Sequence, residues 1–240
     1  MNCMELLGIP MGVTSVSGSG GKTSLLAALA AVLEGPVILA TTTHFMPFEG
    51  MPLVTSSDSD DVRCTLAEAR VVCVAEPVDP VMSGGKLGAS RIPIDTLAEL
   101  APHVIVEADG SRGLPLKAHA RHEPVVPACA ARRILVVGAS GLGRPVSEVA
   151  HRPTLFCERT GCTPNEPASP ELVAAELASE LECGLIAPDV ILVNQVDDET
   201  TLAKAKRLAR ELARQGHPLP AFAASLHRPR QWEQTLLQVS

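Results

Sequence analysis

The chain has 240 residues, 46% of them hydrophobic but only 2% aromatic, and a formal net charge of −7 at pH 7. This length suits one α/β domain, or a domain with a small appendage, built around a sizeable aliphatic core. An acidic chain with one Trp and no Tyr lacks the broad basic surface and the stacking platforms that nucleic acids need, so we expect no nucleic-acid partner.

Apolar strand patterns alternate with helical patterns along the chain. The predicted strands are 11–16, 36–41, 70–75, 103–108, 133–137, 189–193 and 219–224. The predicted helices are 1–10 (a short helix or arm), 23–34, 94–101, 169–184, 199–215 and 229–239, and 45–65 is predicted to be loop. This order predicts an α/β fold with a doubly wound, mostly parallel sheet, as in the three-layer sandwich of P-loop NTPases. We expect one nucleotide-binding domain over residues 1–240, with room for a helical insertion around 144–188.

A glycine-rich turn joins the first predicted strand to the helix that follows it. It has the short Gly-x-x-Gly-Lys-Thr form, with Val16 where the full Walker pattern has glycine. Backbone N–H groups of such a turn, together with the helix start, can surround a phosphate. Lys22 would reach the β- and γ-phosphates and the Thr23 hydroxyl would ligate Mg²⁺, whereas an ordinary glycine-rich turn would do neither. The predicted phosphate-binding residues are Gly18, Ser19, Gly20, Gly21, Lys22, Thr23 and Ser24.

Two further motifs end predicted strands, where ligands of parallel sheets bind. Glu107-Ala108-Asp109-Gly110 lies where P-loop NTPases place the carboxylate on the Mg²⁺ side. Glu107 is the first choice to hold a metal-bound water, Asp109 is the second choice or positions the attacking water, and the Gly110 N–H would meet the γ-phosphate. Thr42 and Thr43 either sense that phosphate or complete the Mg²⁺ shell, or are plain strand residues. Lys22, Glu107 and Asp109 are thus the predicted catalytic residues, and Thr23 and Glu107 the metal ligands.

Asn194-Gln195-Val196-Asp197 follows another apolar strand and matches the guanine-binding Asn-Lys-x-Asp motif except at Gln195. A carboxylate at Asp197 would accept hydrogen bonds from guanine N1 and N2, for which adenine has no equivalent. With Asn194 and Asp197 as base-binding residues, GTP is favoured over ATP and ATP stays open. Lys117 either neutralises phosphate or an anionic second substrate, or is a surface lysine.

The N-terminal segment carries Glu5 and no basic stretch before an apolar run, so we expect no signal peptide. No apolar run approaches the ~18 residues that span a bilayer, and a cytoplasmic protein without a membrane partner is expected. Cys73 and Cys129 lie in apolar runs typical of the core. Cys157 and Cys162 either hold a metal or a reactive chalcogen or are ordinary thiols.

Several motifs occur together and in order, and their combination resembles the selenium-dependent hydroxylase accessory protein family, YqeC. They are Ser17-Gly18-Ser19-Gly20-Gly21-Lys22-Thr23, Thr41-Thr42-Thr43, Gly85-Lys86-Leu87-Gly88, Val106-Glu107-Ala108-Asp109-Gly110-Ser111, Leu116-Lys117-Ala118, His122-Glu123-Pro124 and Asn194-Gln195-Val196-Asp197. The similarity extends over about residues 4–197. It implies a nucleotide-binding maturation factor for molybdenum hydroxylases that carry a labile selenium, with such a hydroxylase as its client.

The resulting expectation is a P-loop domain that binds a nucleoside triphosphate with Mg²⁺ and hydrolyses it slowly. Hydrolysis would reset a switch that docks on the client through segments 42–60 and 81–91. An ATP-dependent ligase or kinase acting on a cofactor precursor is one alternative, and a nucleotide-regulated binding protein without turnover is another.

Overall fold

The computed structural model describes residues 3–226 and 235–240, which fall into two compact units. Within these described residues, the first unit comprises 3–17, 23–110 and 125–133, and the second comprises 18–22, 111–124, 134–226 and 235–240. The chain therefore passes from one unit to the other within the glycine-rich turn and again directly after Gly110.

The first unit contains a run of parallel strands and a few short helices. Its strands are Gly12–Gly18 (β1, whose last residue is in the second unit), Val37–Thr41 (β2), His44–Phe45 (β3), Leu53–Val54 (β4), Val71–Val74 (β5), Glu76–Pro77 (β6), Leu87–Gly88 (β7) and His103–Glu107 (β8). Its helices are Cys3–Leu7 (α1), Lys22–Val32 (α2, whose first residue is in the second unit), Ser59–Glu68 (α3), Pro80–Ser83 (α4) and Ile94–Ala98 (α5).

The parallel strands of the first unit place their carboxyl ends at one edge, whereas β3, β6 and β7 form a separate antiparallel sheet. Neighbouring strands follow the order β1-β8-β2-β5-β4, and each of these pairs is parallel. The register sets Glu107 opposite Val16 on one side and opposite Thr41 on the other. A core of aliphatic side chains from these strands, α3 and α5 fixes that arrangement.

The second unit has fewer strands and longer helices. Its strands are Leu116–Lys117 (β9), Ala130–Gly138 (β10, in this unit from Ile134 onward), Ala150–His151 (β11), Val190–Asn194 (β12), Ala221–Ala223 (β13) and Leu237–Gln238 (β14). Its helices are Val146–Val149 (α6), Pro153–Thr160 (α7), Pro170–Glu182 (α8) and Glu199–Arg214 (α9).

In the second unit, β10, β12 and β13 are parallel neighbours, and β14 adds an antiparallel edge. Helices α7, α8 and α9 pack on these strands through one aliphatic core. Helix α8 begins with Ser169 as a cap that accepts from the Leu172 N–H, followed by proline at its first position. Parallel strands with helices packed on them confirm the predicted α/β class and the mostly parallel pairing.

Three local predictions were wrong. Residues 45–65 are not all loop, because α3 begins at Ser59 and its cap Asp58 accepts from the Asp60 N–H at 2.9 Å. The Ser/Asp-rich composition that suggested a loop also supplies a helix cap. The chain end is strand β14 at Leu237–Gln238 rather than helix, and the part of that predicted helix over 229–234 lies outside the described residues. Cys129 is exposed, whereas Cys73 is buried as predicted.

Helices α6, α7 and α8 lie within 144–188, and the single-domain organisation remains a prediction. Over the described parts of the chain, no helix combines the length and the apolar character needed to cross a bilayer.

Candidate nucleotide site

The side chain of Lys22 lies back over the glycine-rich turn. Within the second unit, its Nζ donates to the Gly18 carbonyl at 2.7 Å and to the Ser111 hydroxyl at 3.3 Å, and the residue is only 4% exposed. Ser111 was not among the predicted site residues, although it directly follows Gly110. The ammonium is thereby held at the turn where the phosphate group is predicted to bind.

Two glycines allow this turn to pass close to its neighbours. Gly20 has φ +81°, and a Cβ there would lie 2.3 Å from the Cα of Gly138. Gly18 has φ +95°, and a Cβ there would lie 2.2 Å from the Val136 carbonyl oxygen. Both positions require glycine for its left-handed backbone and for its missing side chain.

Ser19 is engaged in holding the turn in place. Its N–H donates to the Val136 carbonyl at 2.9 Å, and its hydroxyl donates to the Pro115 carbonyl at 2.9 Å. Because α2 begins at Lys22, the N–H groups of its first turn have no acceptor within the helix. The backbone donors that suit an anion are thus those at the helix start, near Lys22 and the exposed Ser24.

The predicted base-binding residues occupy two different settings in the second unit. The buried Asn194 donates from Nδ2 to the Gly20 carbonyl at 2.7 Å, and its Oδ1 accepts from the Leu226 N–H at 3.1 Å. Asp197 is exposed and accepts from the Ser225 hydroxyl at 2.5 Å. The structure therefore brings Asn194 to the turn itself and leaves Asp197 at the surface.

The predicted metal side of the site lies in the first unit. The Thr23 hydroxyl donates to Glu107 Oε2 at 3.0 Å, and Glu107 is 5% exposed at the end of β8. The Glu107 carbonyl accepts from the Thr41 hydroxyl at 2.9 Å and from the Thr42 N–H at 3.1 Å. A hydroxyl beside a carboxylate provides the oxygen donors that Mg²⁺ prefers, so these residues fit the ion.

The remaining predicted residues of the first unit differ in burial and in hydrogen bonding. Asp109 is completely buried, and a Cβ on Gly110 would meet no atom within 4 Å. The Thr42 hydroxyl donates to the Val125 carbonyl at 2.7 Å. The hydroxyl of Thr43 is buried and has no hydrogen-bond partner among the described residues. Thr43 therefore retains a polar atom that a ligand could satisfy, whereas the hydroxyl of Thr42 is already used.

A buried charged network in the second unit was missed by the sequence interpretation. His119 Nδ1 lies 2.7 Å from Glu180 Oε2, and the His119 N–H donates to Glu180 Oε1 at 2.6 Å. Arg159 Nη1 donates to Glu180 Oε1 at 2.5 Å and to Glu176 Oε1 at 2.8 Å, and its Nη2 donates to the His119 carbonyl at 2.6 Å. His119, Glu176 and Glu180 are each at most 1% exposed.

The two carboxyl groups of this network have opposite pKa shifts. Burial, and then the charge of Glu180, raise the pKa of Glu176 well above its usual range. Burial also acts to raise the pKa of Glu180, but its bonds with His119 outweigh this and lower it. The opposite shifts favour the negative charge on Glu180, which faces the Arg159 guanidinium, over a charge on Glu176.

Lys117 forms a buried ion pair rather than a surface contact. Its Nζ lies 2.8 Å from Glu123 Oε2, and Arg152 donates to both carboxylate oxygens at 2.7 and 3.0 Å. Although burial acts to raise it, these bonds lower the pKa of Glu123 to about 2. Burial and the nearby charges of Arg152 and Lys117 lower the pKa of His151 to about 4. The surface-lysine alternative for Lys117 was wrong.

A small cavity connects this region to the turn within the second unit. It measures about 10 Å³ and is lined by Gly18, Ser19, Lys117 and His119 together with apolar side chains. Such a volume holds about one water molecule, so a nucleotide does not fit there. The cavity does show that residues of the turn share a boundary with the charged network.

Comparison with known proteins shows which protein family this chain resembles. A sequence profile described as "YqeC protein" matches residues 14–154, from β1 into α7. The chain belongs to the YqeC family. A relative in Escherichia coli (strain K12), named "Uncharacterized protein YqeC", is 37% identical over 166 residues, which is 64% of this chain and 62% of the relative. The alignment with that relative thus covers less than two thirds of its length. The matched profile includes the glycine-rich turn, Glu107 and Ser111, whereas α8 lies beyond it.

Proposed function

We propose that this YqeC-family protein binds a nucleoside triphosphate with Mg²⁺ and hydrolyses it slowly. The observation that carries the proposal is the position of Lys22, whose buried ammonium contacts the Gly18 carbonyl and the Ser111 hydroxyl. A phosphate at the helix start would meet this charge together with the backbone donors of α2. Positioning and charge neutralisation supply most of the catalysis in phosphoryl transfer, and both are available here.

The pair formed by Thr23 and Glu107 supports a role for Mg²⁺. When bound, the ion would neutralise charge that develops on the phosphates. The Thr23 hydroxyl would turn from Glu107 to the ion, and Glu107 would hold a metal-bound water. Lys22 and Thr23 are consecutive in the Gly-x-x-Gly-Lys-Thr pattern, in which the lysine contacts phosphate and the threonine hydroxyl contacts Mg²⁺. The buried Asp109 remains the second choice for the carboxylate on the metal side, or it positions the attacking water.

Replacing Glu107 by Gln tests this metal role. The variant keeps the size of the side chain and one carbonyl oxygen but removes the charge. We expect Mg²⁺ to increase triphosphate affinity in the wild type, and this increase to fall by about 10–100-fold in E107Q, as for other groups that hold a metal-bound water. Calorimetric titration with GTP and with ATP, at graded Mg²⁺ concentrations, measures it, and phosphate release measures turnover.

Glu76→Gln is the matched control, because Glu76 pairs with Arg91 at 3.3 Å and belongs to no predicted site. Its Mg²⁺ dependence should equal that of the wild type. If E107Q also keeps the wild-type Mg²⁺ dependence, Glu107 does not hold the ion.

We propose that Asp197 selects guanine as the base of the nucleotide and that Asn194 holds the glycine-rich turn in place. An exposed carboxylate beside the Ser225 hydroxyl can exchange that bond for the two N–H donors of guanine. Asn194 already uses both ends of its amide, on Gly20 and Leu226, and so supports the phosphate loop rather than the base.

Asp197→Ala should therefore lower GTP affinity by about tenfold or more while leaving ATP affinity unchanged, on the scale of one charged hydrogen-bond pair. Competition titrations of GTP against ATP measure the ratio. Glu199→Gln removes another exposed acid two residues further along and should leave the ratio unchanged. A guanine preference that survives in D197A would show that another group selects the base.

The family relationship supports an accessory role, and we propose a selenium-dependent molybdenum hydroxylase as the client. A nucleotide switch predicts slow hydrolysis by the chain alone and faster hydrolysis with its client present. A ligase or kinase would instead transfer phosphate to a small acceptor without a client, and a pure binder would release no phosphate in either case.

A further inference from the structure

Two cysteine side chains of the second unit lie in contact. The Sγ atoms of Cys157 and Cys162 are 3.4 Å apart, and both residues are partly buried. The other cysteines with described surroundings differ, since Cys73 is buried and the exposed ones are Cys64, Cys129 and Cys183. The pair is therefore distinguished by proximity together with partial access to small solutes.

The end of α7 produces this proximity. Cys157 lies in the last full turn of the helix, which ends at Thr160, and Gly161 follows with φ +72°. The Gly161 N–H donates to the Cys157 carbonyl at 2.8 Å, and the left-handed residue turns the chain back over the helix end. Cys162, the next residue, is thereby brought against Cys157.

We propose that Cys157 and Cys162 are a redox modification site that forms an intramolecular disulfide when a hydroperoxide acts on it. A disulfide has an S–S bond of ~2.05 Å, so the sulfurs must approach by little more than an ångström. Cys162 lies in the loop after α7 and can make this movement while Cys157 stays in the helix. Protein disulfides in reducing compartments are usually transient, which suits a reversible site.

The reaction balances in two steps. One thiolate attacks the peroxide O–O bond, forming a sulfenic acid and releasing an alcohol, or water from hydrogen peroxide. The second thiol attacks that sulfur, the S–S bond forms, and the sulfenic oxygen leaves as water. Two thiols are oxidised, the hydroperoxide is reduced by two electrons, and an external dithiol reverses the change.

The surroundings suggest the order of attack. Burial, and then the neighbouring Cys162, raise the pKa of the Cys157 thiol to about 11, so at neutral pH it is protonated. This disfavours Cys157 as the thiol that attacks the peroxide first and suits it to the resolving role.

Peptide mapping tests the proposal directly, because trypsin cleaves after Arg159, between the two cysteines. The full-length reduced protein is treated with hydrogen peroxide, its remaining thiols are blocked, and it is digested without reductant. We expect a linked pair of peptides, one ending at Arg159 and one beginning at Thr160, that separates on reduction. Cys157→Ser and Cys162→Ser should each abolish the link, and C157S should trap the sulfenic acid on Cys162.

Cys183→Ser is the matched control, because Cys183 lies in the same tryptic peptide as Cys162 but is exposed elsewhere. The link should persist fully in C183S. The proposal is overturned if peroxide gives only sulfinic acids, disulfides between chains, or a link that C183S abolishes. Melting curves of the reduced serine variants establish that any loss of linkage does not come from unfolding.

Discussion

Lys22→Ala is expected to weaken triphosphate binding by about 30-fold or more, for GTP and ATP alike. Truncating one partner of a buried, charged contact costs about 2–5 kcal/mol of binding free energy. Lys22 qualifies because its side chain is buried and its ammonium already contacts the Gly18 carbonyl of the turn and the Ser111 hydroxyl. Since the lysine is proposed to contact phosphate and not base, the ratio of GTP to ATP affinity should stay constant. Isothermal titration in saturating Mg²⁺ measures both affinities.

Lys206→Ala provides the control for net charge, because Lys206 is an exposed lysine on α9. It should bind triphosphate as the wild type does. Thermal unfolding of K22A without nucleotide must show a folded chain, since the variant also loses the bond to the Gly18 carbonyl. A folded K22A that binds triphosphate with wild-type affinity would remove the basis of the proposed function.

The glycine-rich turn was predictable because its signal is local. A strand, a Gly-x-x-Gly-Lys-Thr segment and a helix follow one another within about twenty residues, and no distant contact is needed to recognise them. The position of the Glu107 carboxylate could also be predicted, because parallel strands bring their carboxyl ends to one edge. The observed register, with Glu107 opposite Thr41, follows from that rule.

The partners that hold these groups were not predictable in the same way. Ser111 ends one of the family motifs, but that motif does not indicate which residue the serine contacts, and its contact with Lys22 joins positions 89 residues apart. Asn194 matched a base-binding motif, yet its amide fastens Gly20, because the end of β12 lies beside the turn. A four-residue match gives residue types and leaves the direction of each side chain open.

The charged network was missed because its members look ordinary in sequence. Glu176 and Glu180 are four apart in α8, a spacing that is common on solvated helix faces. Both are instead buried, and their partners His119 and Arg159 come from distant segments. The pattern of Ala, Leu and Glu in α8 does not indicate which face of the helix packs against an arginine side chain.

Arg159→Met is expected to lower the free energy of unfolding by about 3–5 kcal/mol at neutral pH. The substitution keeps an unbranched apolar side chain and removes the guanidinium cation that faces the buried charge of Glu180. Breaking a buried ion pair on one side leaves an uncompensated charge, which is why the effect is large. Without Arg159, the folded-state pKa of Glu180, which lies below its usual value in the wild type, should rise, and that of Glu176 should stay above its usual value. The destabilisation should therefore shrink as the pH falls from 7.5 to 5, where Glu180 of the variant can take up a proton.

Arg207→Met is the matched control, because Arg207 of α9 pairs with Glu171 of α8, the helix that also carries Glu180. The side chains of Arg207 and Glu171 are 60% and 35% exposed. An exposed pair of this kind contributes at most about 1 kcal/mol, with little change between those two pH values. Urea unfolding followed by circular dichroism compares the variants. Adding Glu180→Gln to R159M should recover part of the loss, because it removes the stranded charge while an amide can still bond to His119. Equal losses in R159M and R207M, or no recovery in the double variant, would mean that packing around Arg159, rather than charge compensation, stabilises this unit.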